Sequence, residues 1–165
     1  MQRHSTLLVY WPFTTEAQPM RKPTILVVED NPDHLELTLT TLQQHSLPHD
    51  IVVVHDGLEA LEYLFCEGLF NDRDPDHQPD LVLLDLGLPK LSGLAVMQRM
   101  RDDPRTFFIP VIMLTSASEQ SQAVIAFKGG LNSYVSKPLD YLVFEEKLQQ
   151  LNEIWRTSDL APLSD

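Results

Sequence analysis

Pro79-Asp80-Leu81-Val82-Leu83-Leu84-Asp85-Leu86-Gly87-Leu88-Pro89 sets four aliphatic residues in an unbroken row and ends that row on a carboxylate. A run of this length without polar alternation suits a strand buried on both faces. The pattern recurs along the chain. Ile25-Leu26-Val27-Val28 runs into Glu29-Asp30, and Ile51-Val52-Val53-Val54 runs into His55-Asp56. Val111-Ile112-Met113-Leu114 runs into Thr115-Ser116, and a weaker Tyr134-Val135 runs into Ser136-Lys137-Pro138.

The stretches between these runs carry helical periodicity. Leu35, Leu39 and Leu42 form a stripe behind Asn31 as cap and Pro32 in the first turn. Leu58, Leu61, Leu64 and Phe65 form a second behind Asp56, and Leu94, Met97 and Met100 a third behind Ser92. Ala123, Val124 and Phe127 form a fourth, stopped by Gly129-Gly130. Phe144, Leu148, Leu151 and Trp155 form a fifth behind Asp140. Alternation of five such strands with five helices predicts an α/β fold: a doubly wound, five-stranded parallel sheet with right-handed crossovers. The connection from Glu67 to Pro79, rich in Asp, Asn and Pro, is long enough to be a solvated insertion or a functional loop.

In open parallel sheets, ligands bind beyond the carboxyl ends of the strands. The residues there are Glu29 and Asp30, Asp85, Thr115 and Ser116, and Lys137; His55-Asp56 starts a helix instead. Each alone has an ordinary explanation as a cap, a turn residue or a surface lysine. Together they place three carboxylates, hydroxyls and one ammonium on one edge of the sheet. Crowded carboxylates repel by about 1 kcal/mol at 4 Å in water and about 4 kcal/mol at an effective dielectric of 20. Either one protonates or a cation joins them. An all-oxygen donor set favours a hard divalent ion, Mg2+ above Zn2+. Lysine and hydroxyl opposite such an ion form a cradle for a phosphoryl group.

The rest of the composition narrows the alternatives. The 165 residues suggest one domain with a sizeable core. Lys and Arg total 12 against 24 Asp and Glu, for a net charge of −12. That sign opposes binding to nucleic acid or an anionic membrane surface. A single cysteine, Cys66, excludes an internal disulfide or a Cys-pair metal site and reads as a small buried side chain. No apolar run approaches the roughly 20 residues of a membrane span, and Leu7-Leu8-Val9-Tyr10-Trp11, cut by Pro12, makes a poor signal peptide. A cytoplasmic protein is expected. The organisation expected is a tail over 1–22 that the fold does not need, a core unit over 23–157 and a short tail over 158–165, with Met20 a possible translation start. Neither GxxxxGK[ST] nor GxGxxG occurs. The histidines show no metal spacing: His34 borders the acidic pair but is expected to face solvent, and Arg99, Arg101 and Arg105 to form a solvated patch.

The segments Ile25-Leu26-Val27-Val28-Glu29-Asp30-Asn31, Pro79 through Pro89, Ile109-Pro110-Val111-Ile112-Met113-Leu114-Thr115-Ser116 and Tyr134-Val135-Ser136-Lys137-Pro138 together resemble the receiver domain of two-component response regulators, over about residues 24–155. The acidic connection and Leu151-Asn152-Glu153-Ile154-Trp155 resemble a narrower group, the small regulators paired with bacterial phytochrome kinases. The resemblance implies a flavodoxin-like strand order of 2-1-3-4-5. It implies that Asp85 accepts a phosphoryl group from a sensor histidine kinase. Asp30 and Asp85 would ligate Mg2+, Glu29 would act in its outer shell, and Gly87 would offer its backbone carbonyl. Thr115 and Lys137 would hold the acyl phosphate, Pro138 would follow a cis peptide, and Tyr134 would be the switch aromatic. Signalling would leave through the fourth helix, fifth strand and fifth helix, where Phe127, Tyr134, Tyr141, Phe144 and Trp155 are read either as core residues or as a docking face, with a homodimer as one partner. The chain would then be a signalling receiver and not an enzyme, its own phosphorylation and dephosphorylation aside. The few residues after Trp155 are expected to hold no output domain. Two other readings share the chemistry. A receiver-like adaptor would never accept phosphate. An aspartyl-nucleophile phosphatase of the haloacid dehalogenase type would want an acid where Gly87 stands and its nucleophile after the first strand.

Overall fold

The computed structural model describes residues 22–44, 49–119 and 133–157. Strand β1 is Thr24–Val28, helix α1 Pro32–Gln43, β2 Asp50–Val54, α2 Gly57–Phe65, β3 Leu81–Asp85, α3 Gly93–Arg101, β4 Val111–Thr115, β5 Ser133–Ser136 and the last helix, α4, Tyr141–Thr157. All strand pairs are parallel, and the order is β2-β1-β3-β4-β5. Both the α/β class and the order match expectation. The tail over 1–21, the residues after 157 and the stripe of Ala123, Val124 and Phe127 lie outside the described residues.

Side chains of a strand alternate between faces, and this divides the core. Leu26 and Val28 join Leu84, Met113, Ala60, Leu64, Val96, Met97 and Met100 on the α2–α3 side. Ile25 and Val27 join Leu83, Ile112, Leu114, Leu42, Phe144 and Leu148 on the α1–α4 side. Each fully buried aliphatic or aromatic side chain contributes about 1.5–3 kcal/mol, so β1, β3 and β4, buried along their whole length, anchor the sheet.

Several details depart from the sequence reading. The run Ile51-Val52-Val53-Val54 takes the edge position that the order 2-1-3-4-5 requires, but it is not buried on both faces: of its residues only Val54 is fully buried. Leu58 is 48% exposed because it lies in the first turn of α2, on the side away from the sheet; Ala60 and Tyr63 complete the inward face instead. For Phe144 the core alternative holds: it is wholly buried and takes no part in a docking face. Cys66 is only half buried and closes α2 in the left-handed region, at φ 57°. Arg101 is no surface charge: its guanidinium donates to the carbonyls of Phe107 and Ile109 at 3.0 and 2.9 Å.

The long connection is pinned rather than loose. The Arg73 guanidinium lies 3.7 Å from the centroid of the Tyr63 ring and donates to the carbonyl oxygens of Tyr63 and, at 2.6 Å, His77. Gln78 donates to Leu64 O at 2.9 Å. A backbone that would otherwise need water for its carbonyls is satisfied by one forked side chain and one amide. At the opposite end of the sheet from the acidic strand ends, Thr24 N donates to Asp80 Oδ2 at 2.8 Å, and Asp80 N donates to Thr24 O at 2.8 Å.

Candidate phosphoryl-acceptor site

The site is assembled by strand ends and by the caps that turn the chain after them. β1 delivers Glu29 and Asp30, and Asn31 then caps α1 by accepting from Asp33 N at 2.9 Å and His34 N at 3.1 Å. Pro32 enters the helix where a missing N–H costs nothing. β3 delivers Asp85, whose Oδ1 accepts from Gly87 N at 3.2 Å. The chain then folds back so closely that Gly93 N donates to Leu86 O at 2.9 Å, and a Cβ on Gly93 would stand 2.3 Å from Asp85 O. β5 delivers Lys137, joined to Pro138 by a cis peptide, with Lys137 N donating to Thr115 O at 2.8 Å.

These ends surround an open cleft of about 510 Å³, lined by Glu29, Asp30, Asp85, Gly87 and Lys137 among others. Carboxylate oxygens of Glu29, Asp30 and Asp85 all lie within 4.8 Å of one another, with Asp30 exposed and the other two buried. The Lys137 ammonium sits 3.0 Å from Asp85 Oδ2 and 3.1 Å from Glu29 Oε1. Glu29 Oε2 accepts from Asn31 N at 3.1 Å. Burial pushes the Glu29 carboxyl up, the charge on Asp85 pushes it further, and the Asn31 N–H and Lys137 only partly offset this. Burial alone would lower the Lys137 ammonium, but its hydrogen bonds and charge interactions with Asp85 and Glu29 outweigh that and raise it. Four carboxylates, those of Glu29, Asp30, Asp85 and Glu119, against the one ammonium of Lys137 leave the cleft electronegative.

Seven residues carry the sequence-based site, and five of them, Glu29, Asp30, Asp85, Gly87 and Lys137, meet in this cleft. Thr115 does not line it. Its side chain is fully buried, and the hydroxyl donates to Val135 O at 3.4 Å; Ser116, the next residue, reaches the cleft. Tyr134 is half buried and packs against the α2–α3 side of the core.

Two further residues line the cleft: His34, which the sequence placed beside the acidic pair but facing solvent, and Glu119, which the sequence did not single out. His34 has Nδ1 3.1 Å from Lys137 Nζ and 4.0 Å from Glu29 Oε2. Glu119, in a single 3-10 turn Ala117–Glu119, accepts from Ser116 N at 2.9 Å through Oε1. Its Oε2 fills the space a Cβ at Gly87 would need, 2.5 Å away. The spacing of three from Asn31 to His34 was the available signal for the first: a cap at the cleft places the first helical turn there too.

The donor set is all oxygen, closely spaced and short of positive charge, which fits a hard divalent cation. Among the described residues, no helix is long and apolar enough to cross a membrane.

Comparison with known proteins agrees with this geometry. Residues 25–149 match the response regulator receiver domain. The DNA-binding dual master transcriptional regulator RpaA of Synechocystis sp. is 33% identical over 140 residues, 85% of this chain and 52% of that protein, so the chain spans about half of RpaA's length. The response regulator Rcp1 of the same organism is 28% identical over 138 residues, 84% of this chain and 92% of that protein. Rcp1 has also been solved in an Mn2+-bound form, with a TM-score of 0.65 and 26% identity, covering 82% of this chain and 96% of that one. The solved bacteriophytochrome response regulator AtBRR is 42% identical with a TM-score of 0.73, covering 84% of this chain and 99% of that one. With most of its length matched and its strands in the same order, this chain belongs to the response regulator receiver domain family.

Proposed function

We propose that this chain takes a phosphoryl group onto Asp85 from the phosphohistidine of a sensor kinase, in a step requiring Mg2+. The observation that carries the reading is the Asp85 carboxylate itself. It is buried at the floor of an open cleft, held by Lys137 Nζ at 3.0 Å, and within 4.8 Å of the Glu29 and Asp30 oxygens.

In this reading an Asp85 carboxylate oxygen attacks phosphorus, and the phosphorus–nitrogen bond breaks. The departing imidazole nitrogen keeps the electron pair and takes up a proton from water. Lys137 offsets charge on the phosphoryl oxygens as they arrive, and Gly87 N keeps one Asp85 oxygen oriented. Asp30 and Asp85, with Glu29 behind them and the Gly87 carbonyl, would hold the Mg2+. That ion supplies neutralisation of the negative charge gathered at the reacting centre. Positioning and charge account for most of the rate in such transfers. Self-dephosphorylation reverses the load by water attack on phosphorus.

The acyl phosphate adds nearly two negative charges and three strong acceptors. Thr115, now bonded to Val135 O, is the hydroxyl that turns toward it, and half-buried Tyr134 is the ring that follows. The surface that changes is then β5 and α4, together with the expected fourth helix, which lies outside the described residues; this face meets the kinase, a target or a second copy of this chain. A phytochrome-type kinase is the partner supported by the likeness to AtBRR, at 42% identity. A net charge of −12 works against nucleic acid and anionic membranes as partners, and the cytoplasm is where such a kinase would present its phosphohistidine. The receiver unit is 23–157, with tails over 1–22 and 158–165.

The test is a short-time transfer from autophosphorylated kinases, phytochrome-type kinases included, to the full chain and to Asp85→Asn. Label should appear on the chain only with Mg2+ and vanish in Asp85→Asn. Full labelling of Asp85→Asn would move the acceptor elsewhere. Sedimentation with and without a stable phosphoryl mimic tests the second-copy contact: identical masses at all concentrations remove it.

A further inference from the structure

His34 stands in the first turn of α1 with its side chain 47% exposed, on the open side of the cleft. Its Nδ1 is 3.1 Å from Lys137 Nζ. An ammonium has three hydrogens to donate and no lone pair to accept with. At this contact the ring nitrogen therefore accepts, and the ring proton resides on Nε2. The other two contacts of Nζ are Glu29 Oε1 at 3.1 Å and Asp85 Oδ2 at 3.0 Å. Three hydrogens meet three acceptors, two charged and buried, one uncharged and near solvent.

We propose that His34 is a positioning residue for phosphoryl transfer: its Nδ1 holds the Lys137 ammonium between Glu29 and Asp85, so that the cation waits where the phosphoryl oxygens will arrive. The inference rests on Asp85 as acceptor. The chemistry explains why an imidazole suits this position. Lysine is a point charge on a flexible four-carbon stem, and two carboxylates on its inner side leave the outer side unrestrained. A further carboxylate there would restrain it but deepen the crowding of negative charge. A neutral acceptor restrains it without adding charge. It also yields, because phosphoryl oxygens are charged acceptors and make stronger hydrogen bonds than an uncharged ring nitrogen. Lys137 is thus held until the phosphoryl group displaces His34.

The experiment compares the full chain with His34→Asn, His34→Gln and His34→Leu, using acetyl phosphate with Mg2+ as the probe. Asparagine puts a carbonyl oxygen close to the Nδ1 position; glutamine carries it out toward the Nε2 position. Loss of one hydrogen bond to an ammonium at a half-exposed site should slow labelling about fivefold in His34→Leu and His34→Gln. His34→Asn should stay within about twofold of the unmodified chain. A residue that only supported the helix would show no such split between Asn and Gln, and unfolding midpoints will separate that role from a folding defect. Nitrogen NMR should find Nδ1 of His34 unprotonated and the Lys137 ammonium protected from exchange, with protection lost in His34→Leu. Labelling of His34→Leu at the unmodified rate, or a proton on Nδ1, overturns the proposal. If the unmodified chain takes no label, the acceptor assignment falls and this inference with it; normal labelling indifferent to residue 34 removes this inference alone.

Discussion

Asp30→Asn should change the stability of this protein in opposite directions with and without a divalent ion. Asp30 is the exposed member of three carboxylates whose oxygens lie within 4.8 Å of one another. At that separation a pair of unit charges repels by about 0.9 kcal/mol in water and about 3.5 kcal/mol at an effective dielectric of 20. Exposure puts Asp30 near the aqueous limit, and its attraction to Lys137 cancels part of its repulsion from Glu29 and Asp85. A net gain of about 1 kcal/mol is left for Asp30→Asn in a chelator-containing buffer. For a chain of this size that raises Tm by about 2–4 °C. With Mg2+ the order reverses. An ion at a hundred times its Kd stabilises the unmodified chain by about 2.7 kcal/mol, and the variant, lacking one donor, gains much less. Thermal unfolding by circular dichroism across an Mg2+ titration, starting from EDTA, measures both limbs. A drop in Tm for Asp30→Asn in EDTA would refute the electrostatic account. So would an Mg2+-induced rise as large in the variant as in the unmodified chain.

Glu29→Gln carries a pH signature. The folded-state carboxyl lies above its ordinary value of 4.5 because burial and the charge of Asp85 disfavour ionisation. Its contribution is therefore fully present below 4.5 and lost as pH climbs through the raised folded value. In EDTA, unmodified and variant chains should have similar stability at low pH, and Glu29→Gln should be the more stable near neutrality; a gap independent of pH would count against this. Two glycine substitutions should differ sharply in urea unfolding. A Cβ at Gly57 would stand 2.0 Å from Leu91 O, a backbone atom, and Gly57→Ala should cost about 2–3 kcal/mol. At Gly87 the obstacle is the far end of the Glu119 side chain at 2.5 Å, and Gly87→Ala should cost under about 1 kcal/mol as that carboxylate swings away; equal costs would contradict this. Arg73→Lys keeps the charge but loses the fork that spans the Tyr63 and His77 carbonyls. Limited proteolysis should cut between residues 67 and 79 several-fold faster, and an unchanged rate would mean that the connection holds itself.

What the sequence disclosed and what it withheld follow from how each kind of residue acts. Strands buried on both faces need unbroken aliphatic runs, so β1, β3 and β4 were legible, and with them the carboxylates that end the first two. An edge strand has the same composition as a central one, because its exposure is decided by which neighbours pair with it. The composition of Ile51, Val52 and Val53 does not show that β2 lies outermost; that came only from the strand order that the resemblance implied. Caps announced themselves, since Asn31, Asp56 and Ser92 are read directly against the following backbone N–H groups. The contacts of His34 and Glu119 join residues far apart along the chain or hinge on a glycine's missing side chain, and neither leaves a periodic trace. Arg73 and Arg101 likewise resemble solvated charges until the carbonyls they satisfy are brought beneath them.

The reciprocal hydrogen bonds of Asp80 and Thr24 set the alignment of two strands from the end remote from chemistry. β1 and β3 are each five residues long, and at about 3.3 Å per residue a slide of one position would carry Asp85 that far past Glu29 and turn alternate side chains to the wrong side. Asp80 thus works as a dowel: the spacing of the two acidic groups at one rim is machined at the other, by a carboxylate that never meets phosphorus.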